Sequence, residues 1–168
     1  LGDKDQAALE LLGRVLGGLE SSRLDQSIVQ GERIASYVSA SQTSMRYGGW
    51  FTVQSAPLGE HTNAELESAF GREIARIQES GVTPEELERA KVQTEVGRAR
   101  TLNSNLGMAQ LIGGAVRSAG TVRWLDESVA RINAVTAADV QSVAKRYLTP
   151  SRRAVVELRK TLGGAKAS

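Results

Sequence analysis

The chain of 168 residues contains one histidine and no cysteine, which limits the chemistry that its side chains can perform. His61 stands four residues before Glu65, so the two side chains would face each other across one helical turn. A zinc site normally takes three protein ligands, and neither HxxEH nor HExxH occurs in the sequence. The sequence therefore predicts an exposed histidine beside a helix start, with no metal ligands in this chain.

Nucleophilic triads and phosphate-binding loops lack their patterns as well. The lone histidine has no GxSxG serine elbow to serve, and no glycine-rich segment carries the GKS or GKT of a phosphate loop. The acidic pairs Glu85–Glu86 and Asp126–Glu127 fall in the first turns of predicted helices, where carboxylates favour the helix dipole. We therefore predict no catalytic residues in this chain and no enzymatic activity of the chain alone.

Tyr37 is the side chain best placed to contact a ligand. It stands where a predicted strand begins, just after a glycine-ended helix, with Gln30 and Arg33 close by in sequence. A tyrosine at the edge of an element can present its hydroxyl group to a bound molecule. Arg146–Tyr147 is a weaker candidate, because a cation in a last helical turn is explained by the carbonyl end of that helix.

A second aromatic group, Tyr47, Trp50 and Phe51, follows later in the same region. These residues would form a binding platform beside Arg46, or they would pack into the core from a half-buried strand. Large aromatic side chains are buried more often than not, so we predict core packing.

The positions that carry these side chains fall on a series of helices with two or three strands. Apolar residues at spacings of three and four predict the helices, and Ser22, Thr83 and Thr136 are predicted caps. Gly17–Gly18 is predicted to end the first helix in a left-handed conformation. The predicted helices are Asp3–Gly17, 22–31, Asn63–Ser80, 84–102, Leu106–Ser118, a short helix from Thr121 and a last one from Thr136 to about Leu148.

The predicted strands are Ile34–Ser41, Met45–Ala56 and a final Ala154–Leu158. The polar residues Gln42–Ser44 would turn between the first two, giving an antiparallel hairpin. Gly48–Gly49 would mark a bulge or a close backbone approach. Because strands and helices are segregated along the chain, the predicted fold class is α+β, with an antiparallel or mixed sheet and helices packed on one face.

The bulk properties limit the class of protein and its partners. The length favours a single domain over residues 1–162 with a flexible tail at 163–168, and a start at Leu1 in a helix suggests a piece of a longer chain. A net charge of +2 does not favour nucleic acid, and no apolar run is long enough to span a membrane. Sixteen arginines against five lysines favour a bacterial source, with periplasm and cytoplasm both left open.

Several segments, taken in order, resemble the C-terminal domain of the M16 metallopeptidases. This inverted-zinc-motif family includes pitrilysin, insulin-degrading enzyme and the mitochondrial processing peptidase. The matching pieces cover almost the whole chain, and their order and spacing carry the resemblance. They are residues 5–9 (DQAAL), 16–18 (LGG), 22–24 (SRL), 37–38 (YV), Gly48–Gly49 before Phe51, 81–87 (GVTPEEL), 134–141 (AVTAADVQ) and 145–148 (KRYL).

The resemblance implies a fold and a role in peptide hydrolysis. In the family, an N-terminal domain holds zinc through HxxEH, and the C-terminal domain faces it across a substrate chamber. That second domain contributes an arginine seven residues before a tyrosine. Tyr37 matches the tyrosine, but Gln30 stands at the arginine position. Glutamine offers neutral donors in place of a fixed charge, so it stabilises developing negative charge less.

Two functions within this family therefore remain open on the sequence, beside a third interpretation as an unrelated α+β binding domain whose Tyr37 and Trp50 line a pocket. In the first, the chain is the substrate-chamber half of an M16 zinc endopeptidase, contacting a peptide through Tyr37 and Gln30. Its partners would be the zinc-bearing N-terminal M16 domain and a second M16 subunit that supplies a complete arginine–tyrosine pair. In the second, the chain belongs to a catalytically inactive M16-like subunit with a structural or assembly role.

Overall fold

The structure is a computed structural model that describes residues 4–45 and 48–158, apart from the side chains of Lys4 and Ser118. Asp3, Arg46, Tyr47 and the predicted tail at 163–168 lie outside the described residues. The described part contains six α-helices and a β-hairpin. The helices are α1 Lys4–Gly17, α2 Asn63–Ser80, α3 Pro84–Leu102, α4 Asn105–Ala119, α5 Trp124–Ala134 and α6 Ala137–Tyr147.

The helix starts follow from local capping chemistry. Thr83 accepts a hydrogen bond from the Glu86 backbone N–H, and the Glu86 carboxylate accepts one in return from the Thr83 N–H. Thr136 and Asp139 form the same reciprocal pair at the start of α6. Each box satisfies backbone donors that a helix end otherwise leaves unpaired. The caps predicted at Thr83 and Thr136 are therefore confirmed.

The two strands are β1 Ala35–Met45 and β2 Gly48–Pro57, paired antiparallel. The predicted turn at Gln42–Ser44 is wrong, because these residues continue β1 and pair with β2. The close backbone approach predicted at Gly48–Gly49 is confirmed at Gly49 but not at Gly48, where nothing lies within 4 Å of a Cβ. A Cβ on Gly49 would stand only 2.3 Å from the Thr43 carbonyl oxygen.

Alternation along the hairpin gives it two different faces. Val38 and Ala40 of β1, with Phe51 and Val53 of β2, pack against the helical core. The opposite face is here named the outer hairpin face. It consists of Tyr37, Ser39, Ser41, Thr43 and Met45 of β1 and Gly48, Trp50, Thr52, Gln54 and Ala56 of β2.

The final strand predicted at Ala154–Leu158 is wrong. These residues form no strand, and among the described residues the sheet consists of β1 and β2 alone. Val156 and Leu158 are 88% and 95% exposed. A run of β-branched residues becomes a strand only where a neighbouring edge pairs with it, and a local pattern does not report that neighbour.

The main core lies between α1 and the elements around it. Leu11, Leu12 and Leu16 of α1 are fully buried, as are Ile77 of α2 and Val140 of α6. A smaller cluster of Ile28, Ile34, Ala35, Leu66 and Ala69 lies where the chain enters β1. The helices therefore cover one face of an antiparallel hairpin, which confirms the predicted α+β class.

The glycines at the end of α1 have a different role from the predicted one. Neither Gly17 nor Gly18 has a left-handed backbone. A Cβ on Gly17 would lie 2.6 Å from the Ala40 nitrogen and 2.9 Å from the Ala40 Cβ. Gly17 therefore allows α1 to approach the backbone of β1, a packing requirement that the local sequence does not reveal.

The second predicted helix is a short π-helical segment, Asp25–Gly31. The Ser22 carbonyl accepts a hydrogen bond from the Gln26 N–H at 2.9 Å, but the buried Ser22 hydroxyl has no partner among the described residues. The predicted side-chain cap at Ser22 is therefore wrong. The hydroxyl is directed into the packed interior instead of toward the free N–H groups of the helix end.

Candidate functional site

Tyr37 lies near the start of β1, on the outer hairpin face. Its side chain is 50% exposed, and its hydroxyl group forms no hydrogen bond with a described residue. Its backbone is fixed, because the Tyr37 carbonyl accepts a hydrogen bond from the Ser55 hydroxyl at 2.7 Å. A rigid backbone with a free phenolic O–H presents a donor to a molecule on this face.

Gln30 lies near the end of the π-helical segment and is exposed, but its amide is already engaged. Its Nε2 donates to the Glu20 carbonyl oxygen at 2.8 Å and to Asp25 Oδ2 at 2.6 Å. Its Oε1 accepts from Gln26 Nε2 at 3.4 Å. A primary amide has two N–H donors, and both are used here. Gln30 thus cross-links the loop after α1 to the π-helical segment.

Gln30 and Tyr37 are held by the same small part of the fold. The Ile34 N–H donates to the Ile28 carbonyl at 2.9 Å, and the Leu58 N–H donates to the Ile34 carbonyl at 2.9 Å. Ile28 and Ile34 also share the smaller core cluster. Hydrogen bonds and packing therefore connect the π-helical segment, the start of β1 and the end of β2.

Unusual backbone conformations concentrate from the π-helical segment that contains Gln30 up to Tyr37. The π-helical segment is followed by Arg33, the one described non-glycine residue with a positive φ, at 56°. A register shift then falls between Ala35 and Tyr37. π-helical turns, left-handed residues and bulges each cost free energy, and all three recur at binding and catalytic sites. This concentration marks the segment that presents Tyr37 as a functional candidate.

Ion pairs anchor the chain just before and just after the π-helical segment Asp25–Gly31. Arg72 of α2 holds the Glu32 carboxylate with contacts of 2.6 and 2.8 Å. Arg23 holds Glu86 of α3 with two contacts of 2.7 Å and also donates to the Gly81 carbonyl at 3.0 Å. The hydrogen bonds from Arg23 lower the pKa of the Glu86 carboxyl below its usual range. Two of the segments used for the resemblance, SRL and GVTPEEL, therefore meet in one ion pair.

His61 lies beside the N-terminus of α2, as predicted. Its Nδ1 is 3.2 Å from Glu65 Oε1, and both side chains are exposed. Glu65 also closes a capping box with Thr62, and the hydrogen bonds from Thr62 and His61 lower its pKa. No three His, Cys, Asp or Glu side chains of the described residues converge, so this part of the chain does not fit a zinc site.

The other candidate residues, the two acidic pairs and Arg146–Tyr147, lie at the ends of helices. Glu85 and Glu86 lie in the first turn of α3, and Asp126 and Glu127 in the first turn of α5. Tyr147 donates its hydroxyl to Asp5 Oδ2 at 2.7 Å, and Arg146 Nη1 lies 2.5 Å from the same oxygen. This contact joins the start of α1 to the end of α6.

The aromatic residues divide between the two hairpin faces. Phe51 packs against the main core, as predicted. The core prediction is wrong for Trp50, which is 51% exposed on the outer hairpin face opposite Thr43. The strict alternation of the strand sends adjacent aromatics to opposite faces, and this signal was available in the sequence.

A groove of about 840 Å³ lies elsewhere, among α1, α3, α4 and α5. Glu10, Arg14 and Arg98 line it beside apolar residues such as Trp124 and Leu125. Burial raises the pKa of the Glu10 carboxyl, opposed by the charges of Arg14 and Arg98. Local sequence patterns do not reveal this groove, because it arises from the packing of four helices. No helix of the described part is long and apolar enough to cross a membrane.

Comparisons with known proteins agree with this architecture. In sequence, the chain is 28% identical over 141 residues to the uncharacterized zinc protease YmxG of Bacillus subtilis (strain 168). The match covers 84% of this chain and 34% of YmxG, so the chain spans about a third of that protein.

Two solved structures have the same fold. A protease from Helicobacter pylori has a TM-score of 0.81 and 20% identity, over 90% of this chain and 36% of that one. An inactive peptidase domain from Bordetella parapertussis also has a TM-score of 0.81 and 20% identity, over 98% of this chain and 88% of that one. The sequence profile of the family described as "Peptidase M16 inactive domain" matches residues 1–94, more than half of the chain. The chain therefore belongs to the M16 peptidase family, as one of its inactive domains.

Proposed function

We propose that this chain forms the substrate-chamber half of an M16 zinc endopeptidase and positions a peptide for hydrolysis by zinc on another domain. The proposal depends on one observation above all: Tyr37, which the resemblance assigns to the family's tyrosine position, has a hydroxyl on the outer hairpin face that bonds to no described residue. The zinc would lie on an N-terminal M16 domain, because the described residues do not fit a zinc site.

Tyr37 would donate a hydrogen bond to a carbonyl oxygen of the bound peptide. The donor sits on a hairpin whose backbone is already paired, so little order is lost when the peptide binds. Gln30 would act indirectly in this account. Both of its N–H donors hold Glu20 and Asp25, so it shapes the segment that leads to Tyr37. A second M16 subunit would then supply the charged member of the pair.

The engaged amide of Gln30 favours a second candidate function, a catalytically inactive M16-like structural or assembly subunit. With glutamine in place of arginine at position 30, that position provides no fixed positive charge for a developing oxyanion. Under this alternative, Tyr37 is an exposed surface residue without a substrate.

The test compares Tyr37→Phe with Tyr147→Phe in the complete protease that contains this chain. Each change removes one hydroxyl group, but only Tyr147 donates to a described partner, Asp5. Tyr37→Phe should lower kcat/KM about tenfold with unchanged stability, since one hydrogen bond to substrate is lost. Tyr147→Phe should lower the free energy of unfolding by about 1 kcal/mol with unchanged kcat/KM.

Equal kcat/KM for Tyr37→Phe and the unaltered protease would exclude Tyr37 from the site and leave the assembly role as the better account. Zinc content gives an independent check on the first proposal. The purified 168-residue chain should retain no stoichiometric zinc after dialysis, whereas the complete protease should hold it.

A further inference from the structure

The outer hairpin face carries no charged residue. Residues 34–58 contain one charged side chain, Arg46, which lies outside the described residues. Charged residues make up 24% of the chain, so 25 residues at that average would contain about six. Solvent-exposed surfaces of ordinary domains mix charges of both signs, and a core-lining face would be apolar and buried. This face is exposed, polar and neutral.

Its polar side chains are also unengaged. Ser39, Ser41, Thr43, Thr52 and Gln54 make no side-chain hydrogen bond with any described residue. Ser36, at the register shift beside this face, and Ser55, on the opposite face, instead bond to the Ala56 and Tyr37 carbonyls. The face therefore offers a row of free neutral donors and acceptors, suited to the backbone amides of an extended peptide.

Exposed apolar side chains stand at its two ends. Tyr37 is 50% exposed at one end, and Met45 and Trp50 are 48% and 51% exposed at the other. Trp50 pairs with Thr43, six residues along β1 from Tyr37. At about 3.3 Å per residue, the two aromatic rings are about 20 Å apart along the strand, the length of six extended residues.

We infer that the outer hairpin face binds an uncharged, extended stretch of peptide, with an apolar side chain on Trp50 and Met45 and polar contacts to the serine and threonine row. This inference rests on the proposed function and names its substrate class. A charged side chain placed over this face would lose water without gaining a partner, so acidic and basic segments are disfavoured. Trp50 becomes a specificity-determining residue at the end of the face opposite Tyr37.

The test titrates the full 168-residue chain with three blocked ten-residue peptides and measures affinity by calorimetry. One alternates leucine with serine, and in the other two glutamate or lysine replaces every serine. The neutral peptide should bind at least about fivefold tighter than either charged one. A Trp124→Phe chain, in which Trp50 is the sole tryptophan, should report the same affinity by fluorescence.

Single substitutions test whether the peptide binds on the outer hairpin face. Trp50→Ala should weaken the neutral peptide about tenfold, since an aromatic anchor is removed. Ser41→Lys and Ser41→Glu, at the centre of the face, should each weaken it about fivefold. Ser68→Lys, at an exposed serine on α2, should leave affinity unchanged. Circular dichroism verifies that each variant is folded.

The inference is overturned by equal binding of the three peptides, by tightest binding of a charged one, by insensitivity to Ser41→Lys, or by no binding to the folded chain at about 5 mM peptide. These outcomes are separate from the fate of the proposed function, which is decided by turnover of Tyr37→Phe in the complete protease. A turnover defect at Tyr37 with equal binding of all three peptides would keep the substrate chamber and reject the neutral selectivity.

Discussion

The helical layer and the outer hairpin face differ in charge and in how their side chains are engaged. The described ion pairs lie in or around the helices, including Arg23–Glu86, Arg72–Glu32 and Arg146–Asp5. The outer hairpin face has no charge, no ion pair and three large apolar side chains that are about half exposed. The difference shows that the helices supply stability and order, whereas the hairpin retains groups that the fold itself does not use.

The largest expected difference between the two regions concerns burial. Leu12 of α1 is fully buried in the main core, and Leu12→Ala should lower the free energy of unfolding by about 3 kcal/mol. Trp50→Ala removes a larger side chain from the outer hairpin face but should cost about 1 kcal/mol or less. Urea denaturation of both variants measures the contrast. Equal losses would mean that Trp50 is a core residue and that the comparison fails.

The next largest loss of stability is expected at the contact between α1 and the backbone of β1. A Cβ on Gly17 would meet the backbone of Ala40 and Ser39 at 2.6–3.0 Å, so Gly17→Ala should cost about 2 kcal/mol by separating α1 from β1. Gly71→Ala is the matched control, because nothing lies within 4 Å of a Cβ there. This change in an exposed turn of α2 should stabilise the chain by about 0.5 kcal/mol. Thermal unfolding distinguishes the two signs, and stabilisation by Gly17→Ala would contradict the packing described.

A smaller effect concerns charge in the helical layer. Because Arg23 lowers the folded-state pKa of Glu86, this pair stabilises the fold above the ordinary value of 4.5 and loses its contribution as pH falls through the folded pKa. Glu86→Gln should cost about 1.5 kcal/mol at pH 7, and the difference from the unaltered chain should narrow as the pH falls below 4.5.

Glu88→Gln, an exposed change on the same helix, should alter stability by less than about 0.5 kcal/mol at both pH values. Denaturant titrations at pH 7 and pH 3.5 give the comparison. A difference for Glu86→Gln that stays constant with pH would show that the ion pair does not stabilise the fold.

Features of the fold that depend on neighbouring residues were predictable, and features that depend on distant ones were not. The capping threonines and the bounds of α2 follow from side chains within a few positions. The reason for Gly17 depends on Ala40, more than twenty residues along the chain. The extent of β1 depends on the register of its pairing with β2, and the fate of Ala154–Leu158 depends on whether a strand edge pairs with it. Pairing and packing supply that information, and a local pattern does not contain it.

In the candidate site too, some features could be predicted from the sequence and others could not. The family resemblance identified Tyr37 and Gln30 by order and spacing alone. The local pattern does not reveal that Glu20 and Asp25 engage both Gln30 donors, because Glu20 lies ten residues earlier, in the loop after α1. Trp50 was assigned to the core by the usual behaviour of tryptophan, although strand alternation places it opposite Phe51.

The central claim is that the outer hairpin face meets the substrate, and proximity tests it most directly. A photoreactive benzoylphenylalanine placed at position 37 of the complete protease should, on irradiation, form a covalent adduct with a bound peptide substrate, detected by mass spectrometry. The same group at position 68, on the exposed side of α2, should form none. An adduct at position 37 that excess unlabelled substrate abolishes is the predicted result. No adduct at position 37, or equal yields at both positions, would contradict the account.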